Sequence, residues 1–364
     1  MTAHPFRAIT RWSLLTLGLL LPLAVGAQAQ ESAGESALAT TQVTFHFVQA
    51  PEVSAIGSLA ADSEKDIWAT AALEPVALHF DGSQWTKVPM AKASRVNKVA
   101  VLSPTNVWAV GLGPKGIHSQ IQHYDGTKWT VVPSPHFKRG ETLNSLKIIS
   151  ANSIFAVGSS NDLNGRIPLV EHFDGTAWSV VPVPHIAGEL FDLAIISPSD
   201  IWAVGGGSNS VLTMHFDGNT WIQVPAPADN SGLFGVAALS TKDVWAVGAA
   251  SVTGALIEHW DGTAWKIVPN PSAMGTLLTS ISAISATDIW AAGCNQCGDA
   301  PGGLPPLIEH WDGTQWNINS APVEDAGESA NAVLTFPSRQ IYIGGFAFAT
   351  FGPSSVILQG AEGQ

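Results

Sequence analysis

Cysteine is nearly absent from this chain, with two residues in 364, Cys294 and Cys297. That excludes a disulfide-built scaffold and a four-cysteine zinc site, and no cysteine lies near the N-terminus to carry a lipid. Basic residues are also few. Sixteen Lys and Arg face 29 Asp and Glu, a formal net charge of −13. Duplex affinity rests on Lys and Arg neutralising phosphates, so a nucleic acid is not an expected partner. No window keeps a 3.6-residue hydrophobic period, which argues against a helical fold. Long apolar runs are missing except at the N-terminus. There Arg7 and Arg11 precede an apolar stretch over residues 12–25, followed by Ala27-Gln28-Ala29. The run is short for a membrane span and has the order of a secretory signal peptide. Residues 1–29 are therefore expected to be removed by cleavage after Ala29, with 30–41 as a flexible lead-in. The expected location is secreted or periplasmic, with no membrane span.

What the chain has in abundance is repetition. Leu256-Ile-Glu-His-Trp-Asp-Gly-Thr-Ala-Trp265 returns with small changes around His79, His123, His172, His215 and His310. A second segment, Ile/Val-Trp-Ala, places an aromatic at Trp68, Trp108, Phe155, Trp202, Trp245, Trp290 and Tyr342, at spacings of 40 to 52 residues. An apolar stretch and a polar turn precede each copy. The segments are short, rich in Val, Ile, Trp and Phe, and bounded by Gly, Pro, Asn and Asp, which marks them as strands. Asp-Gly supplies the tight hairpin. Each unit thus reads as four strands: A, B (Ile-Trp-Ala-Val-Gly), C (Leu-Ile-Glu-His-Trp) and D (Trp-x-x-Val-Pro).

Seven four-stranded antiparallel units of this length predict an all-β fold, a seven-bladed β-propeller over residues 42–361. The last unit stops after strand C (around residues 355–358), while residues 42–51 resemble a D strand with nothing before it. The N-terminal strand is therefore expected to complete the last blade, with Phe47 in the slot that Trp fills elsewhere. Pro89, Pro133, Pro182, Pro225 and Pro269 end strand D, which suits an outer edge. Strand A is then expected to line the central channel. The A–B and C–D turns are short and repetitive and belong on one face. The B–C and D–A connections (112–119, 134–144, 159–168, 294–306, 320–330 and 346–353) vary and belong on the other, where function usually sits.

The repeated histidines and the hairpin aspartates occupy one equivalent position in six blades. A ring spreads them apart, whereas a metal ion needs three or four ligands within about 2.3 Å. Packing and turn formation are the expected roles, and neither metal nor cofactor is expected. All thirteen tryptophans beyond Trp12 fall on repeat positions, so core packing accounts for them. Cys294 and Cys297 are expected to form a small disulfide, the alternatives being a redox dithiol, a zinc-binding pair or free thiols. Charge is uneven: nine basic residues lie between Trp85 and Lys147 against only Asp125 and Glu141. Within and beside that sector, Lys115, His118, His136, Lys138, Arg139, Arg166 and His185 fall in variable loops and form the candidate partner-binding patch.

Asp-Ile-Trp-Ala-Val-Gly and His-Trp-Asp-Gly-Thr-x-Trp resemble the repeats of secreted bacterial β-propeller proteins, grouped with kelch, galactose-oxidase-like and sialidase Asp-box propellers. The enzymatic sites of that group do not carry over. A sialidase-like site implies an arginine triad and a tyrosine nucleophile, but Tyr124 and Tyr342 fill repeat slots. A galactose-oxidase-like copper site implies a cysteine-linked tyrosine, and both cysteines lie in one loop. The resemblance is specific for a propeller and not for a function, and the leading expectation is a non-catalytic, monomeric binder of a protein or polysaccharide through the variable-loop face. The alternative is a carbohydrate-active hydrolase or lyase with its site at the channel mouth.

Overall fold

The structure, a computed structural model, describes residues 43–207, 210–227, 231–251, 254–295, 304–322, 328–349 and 352–361. The signal peptide and lead-in expectations fall outside these residues, as does Cys297. Among the described residues there are 28 strands and no helix.

The strands follow the repeat. After β1 (Thr44–Phe47), blade 1 contains β2 (Ile56–Ser63), β3 (Asp66–Ala71), β4 (Val76–Phe80) and β5 (Trp85–Pro89). Blade 2 contains β6 (Arg95–Ser103), β7 (Asn106–Leu112), β8 (Ser119–Tyr124) and β9 (Trp129–Val132). Blade 3 has β10 (Glu141–Ser150), β11 (Ser153–Asn161), β12 (Arg166–Phe173) and β13 (Trp178–Val181). Blade 4 has β14 (Glu189–Ser197), β15 (Asp200–Gly206), β16 (Val211–Phe216) and β17 (Trp221–Gln223). Blade 5 is β18 (Ser231–Ser240), β19 (Asp243–Ala250), β20 (Gly254–Trp260) and β21 (Trp265–Ile267). Blade 6 is β22 (Leu277–Ser285), β23 (Asp288–Cys294), β24 (Leu307–Trp311) and β25 (Trp316–Ile318). The last three strands are β26 (Glu328–Thr335), β27 (Gln340–Ala349) and β28 (Gly352–Ala361).

Within a blade, neighbours in sequence pair antiparallel, giving four-stranded sheets in the order A-B-C-D. β1 pairs antiparallel with β28, from Thr44 opposite Ala361 to Phe47 opposite Leu358. Blade 6 and the last sheet are linked by a single pair, Cys294 opposite Ser329. Two details differ from the sequence reading. Residues 346–353 are largely ladder, because β27 continues to Ala349 and β28 begins at Gly352. The alternating Phe346-Ala-Phe-Ala stretch is strand-forming and carries no turn residue. In addition, Phe45 rather than Phe47 takes the slot of the D-strand tryptophan: it is 5% exposed and meets Trp290 edge-on at 6.0 Å. A two-residue difference keeps the same face of the strand, so alternation alone does not distinguish the two.

Strand B carries a glycine at a fixed position for a steric reason. A Cβ on Gly248 would sit 1.9 Å from the Gly232 carbonyl oxygen of strand A, where the A–B ladder carries an irregularity. Gly262 in the hairpin has φ of +91° and lies against Lys242 of the A–B turn. That contact, with Trp260 Nε1 donating to the Thr241 carbonyl at 3.2 Å, puts the short turns on one face.

The core lies between blades. Four D-strand tryptophans meet the B-strand tryptophan of the preceding blade edge-on, as in Trp129 on Trp68 (5.7 Å, 82°) and Trp265 on Trp202 (5.3 Å, 85°), while Trp221 shares a cluster with Phe155 and Trp85 with Tyr342. Such edge-on pairs contribute about 0.5–1.5 kcal/mol beyond area burial. First and last blades share a cluster in which Ile56 and Leu78 pack with Ala332, Tyr342 and Ile357. The A strands converge. A cavity of about 250 Å³ is lined by Ser58, Lys98, Lys147, Asp192, Ser280 and Val333 among others, from six A strands.

Candidate functional site

The repeated histidines are built into the blades. In blades 1, 5 and 6 the aspartate that opens strand B accepts from the next-but-one Trp Nε1 and meets a strand-C imidazole Nε2. His79 lies 2.6 Å from Asp66, His259 2.8 Å from Asp243 and His310 3.0 Å from Asp288. The imidazole also stacks on that tryptophan, at 4.3 Å for His79 on Trp68. His215 meets Asp200 at 2.8 Å. Blades 2 and 3 put Asn106 and Ser153 in the aspartate's place, 3.0 Å from His123 and 2.9 Å from His172. The hairpin aspartates also close their own turns. Asp261 Oδ1 accepts from the Thr263 amide, the Thr263 hydroxyl and the Ala264 amide at 2.8, 2.5 and 3.0 Å.

The opposite face is assembled from the variable connections. The Glu141 amide donates to the Ile117 carbonyl (3.3 Å), the Asn161 amide to Gly140 (3.1 Å) and the Gly188 amide to Arg166 (2.9 Å). B–C and D–A connections of blades 2 and 3 therefore touch. Lys115 and His118 come from the β7–β8 connection, and His136, Lys138 and Arg139 from β9–β10. Arg166 opens β12, and His185 lies between β13 and β14.

The structure brings four of these seven onto carboxylates. His118 Nδ1 lies 3.1 Å from Glu141 Oε2, and His136 Nδ1 lies 2.8 Å from Glu141 Oε1. Arg166 pairs with Glu189, and His185 Nε2 lies 3.2 Å from Asp162 Oδ2. Lys115, Lys138 and Arg139 are exposed. Lys115 joins Lys92, His118 and His136 around a cavity of about 500 Å³ whose wall includes Val131 and Pro133.

Glu141 organises this corner. Its side chain is fully buried, while His118 and His136 are 42% and 54% exposed. Oε1 accepts from the Ser119 amide (3.1 Å) and hydroxyl (3.2 Å), and Oε2 accepts from the Phe137 amide (2.9 Å). Burial pushes the carboxyl's pKa up, but the Phe137 amide and the His136 and His118 imidazoles outweigh it and leave it below its ordinary value. The donor atoms of His118, His136 and Glu141 all lie within 4.8 Å of one another. The sequence reading named the two histidines but treated Glu141 only as an opposing charge. The available signal was a glutamate five residues after His136, at the first position of a strand A.

A second cluster, which the sequence reading missed, lies in the channel. Lys98 Nζ is 3.4 Å from Asp192 Oδ1, which also accepts from the Ser145 hydroxyl at 2.6 Å. Burial lowers the Lys147 pKa, Asp192 pulls it back and Lys98 lowers it further; the net direction is down. The disulfide expectation involves Cys297, which lies outside the described residues.

No family model matches the chain, and no curated protein does. Solved structures do. YCF48 bound to D1 peptide is 18% identical with a TM-score of 0.61, covering 87% of this chain and 96% of that one. A streptogramin B lyase is 13% identical at 0.64, covering 87% and 98%. The WD40 β-propeller domain of Doa1 is 11% identical at 0.60, covering 87% and 96%. At these identities the likeness concerns fold. The chain is a β-propeller, and seven four-stranded units fit it.

Proposed function

We propose that this protein is an exported, non-catalytic β-propeller that docks a protein carrying acidic side chains on the loop face of blades 2 and 3. The observation that carries the reading is the meeting of two B–C and two D–A connections there, with Lys115, Lys138 and Arg139 exposed on them and Lys92 exposed on the β5–β6 connection beside them. Among the described residues none of the four has an ion-pair partner. Cations on an accessible rim steer an acidic partner and raise its association rate.

The test is affinity capture from the native extract with the wild type and with Lys138→Glu/Arg139→Glu. A partner held by the wild type and lost by the variant supports docking here. Unchanged capture by the variant removes the basic face from the reading. A melting shift produced by neutral polysaccharides and not by acidic peptides makes the ligand a glycan. Export belongs to the same reading, on the strength of Arg7, Arg11, the apolar run and Ala27-Gln28-Ala29. The mature chain is expected to begin at Gln30, which N-terminal sequencing reads directly. Closure of the ring by β1 is part of it too, supported by the β1–β28 ladder and by Phe45 against Trp290.

One observation favours a second reading, a hydrolase or lyase acting at the channel mouth. Lys147 lines the channel cavity with its pKa lowered, which suits an amine to proton abstraction. If polysaccharide cleavage is found and Lys147→Met abolishes it without moving the melt, that reading replaces the first.

A further inference from the structure

The loop corner around Glu141 has the chemistry of a metal site that no repeat position supplies. Two imidazoles from different connections present Nδ1 to opposite oxygens of one carboxylate, at 3.1 and 2.8 Å. Two ligands on a tetrahedral ion, each about 2.1 Å from it, lie about 3.4 Å apart. The two N···O separations would widen by a few tenths of an ångström, and the two imidazole nitrogens, now within 4.8 Å of each other, would draw in towards about 3.4 Å. His136 is more than half exposed.

Glu141 meets the other requirements of a ligand. Its side chain is buried, and it is held in orientation by the Phe137 and Ser119 amides, which would go on donating to it. The imidazole Nδ1–H groups that now donate to it would give up that position. For neutral rings the proton reappears on Nε2, so charge is conserved. Two imidazoles and one carboxylate suit Zn²⁺ rather than Mg²⁺ or Ca²⁺, which take oxygen ligands. The fourth position faces the cavity of about 500 Å³ bordered by Lys92 and Lys115.

We infer that His118, His136 and Glu141 form a three-ligand Zn²⁺ site on the loop face, its fourth position open to a carboxylate of the docked partner. Only the filling of the fourth position rests on the docking reading. The metal site itself does not.

The experiment uses the full chain, stripped with a chelator and titrated with Zn²⁺ in competition with a chromophoric indicator. One tight equivalent per chain is expected, absent from His118→Gln and from His136→Gln and retained in His185→Gln. Outer-shell changes cost about 10–100-fold in affinity, and loss of a ligand is expected to exceed that. Co²⁺ in place of Zn²⁺ is expected to give the visible absorption of a tetrahedral ion, again lost in both variants. Melting curves confirm folding; the two imidazoles are surface groups, whereas Glu141→Gln would disturb the core. The site is overturned if the wild type binds no more tightly than the His118→Gln/His136→Gln double variant, or if both single variants bind as the wild type does. Lys138→Glu/Arg139→Glu is expected to keep Zn²⁺ whether or not it loses the partner. Loss of capture with Zn²⁺ retained concerns docking, and loss of Zn²⁺ with capture retained overturns the metal site alone.

Discussion

Gln122 of β8 and Glu171 of β12 occupy the same register position in consecutive blades, opposite Ala109 and Ala156. Their surroundings treat them differently. The Gln122 amide accepts from the Ala91 amide at 2.9 Å and donates to the Ala91 carbonyl at 3.0 Å. Both oxygens of Glu171 are buried with no hydrogen bond among the described residues. Burial, with a smaller contribution from the Glu141 charge, pushes the Glu171 pKa up to about 8. The carboxyl is thus neutral in the fold at pH values where an unfolded glutamate is ionised.

The sign follows from that difference. The ionisation-linked cost of Glu171 vanishes well below pH 4.5, where both states are protonated. The cost grows as pH rises towards 8 and then levels off, reaching on the order of 5 kcal/mol. Glu171→Gln is therefore expected to raise the melting temperature at pH 8 and to change it little at pH 4.5. An equal effect at both pH values would show that the carboxyl is not held neutral.

His123 and His172 stand where other blades pair an imidazole with aspartate. Burial lowers both pKa values, and the charges of Asp125 and Asp174 only partly oppose it. Protonation is disfavoured in the fold, so the stability they contribute is present above about pH 6.5 and lost as pH falls below it. Asn106→Asp supplies the missing carboxylate. The variant is expected to lose less melting temperature than the wild type between pH 7 and 5, with the His123 titration moved upward by NMR. Parallel melting curves would count against the pairing.

The fold was legible because its signals are local and repeated. Asp-Gly fixes the C–D hairpin, and proline marks the edge strand. Glycine recurs in strand B where a Cβ would strike the strand-A backbone. The loop corner was half legible. His118 and His136 stood out as departures from the repeat, but their joint partner Glu141 belongs to a different connection from His118. Its role depends on which loops touch, and that is set by packing between blades. Phe45 against Phe47 shows a smaller limit: both lie on the same face, and only the contact with Trp290 selects one.

Asp192 holds the channel cluster together. Burial pushes its carboxyl up, and the ammonium groups of Lys98 and Lys147 pull it down further, leaving it below the ordinary range. Its contribution is present above the unfolded value of about 3.9 and lost as pH falls through the lower folded value. Asp192→Asn leaves two lysines facing each other in a confined cavity. A loss of about 3–5 kcal/mol is expected, as for one broken member of a buried pair. Adding Lys147→Met is expected to recover part of it, since the like-charge contact disappears. Urea unfolding of the three proteins measures both effects, and a neutral Asp192→Asn would show that the charges do not interact.

The N-terminal strand gives the most direct test of how the ring is held. Val43 and Phe45 are 3% and 5% exposed and belong to the cluster that contains Trp290, Ile341 and Leu358. Burying each of two such side chains stabilises by about 1.5–3 kcal/mol, so removing residues 42–49 is expected to cost several kcal/mol and to bare the edge of β28. Point variants separate the register. Phe45→Ala is expected to cost about 3–5 kcal/mol, as for a buried aromatic, and Phe47→Ala clearly less, because Phe47 is only half buried. A synthetic peptide of residues 42–49 added to the truncated chain is expected to restore the melting temperature in a concentration-dependent way. An unchanged melt on truncation would mean that the ring is held without β1, and equal costs at Phe45 and Phe47 would contradict the register.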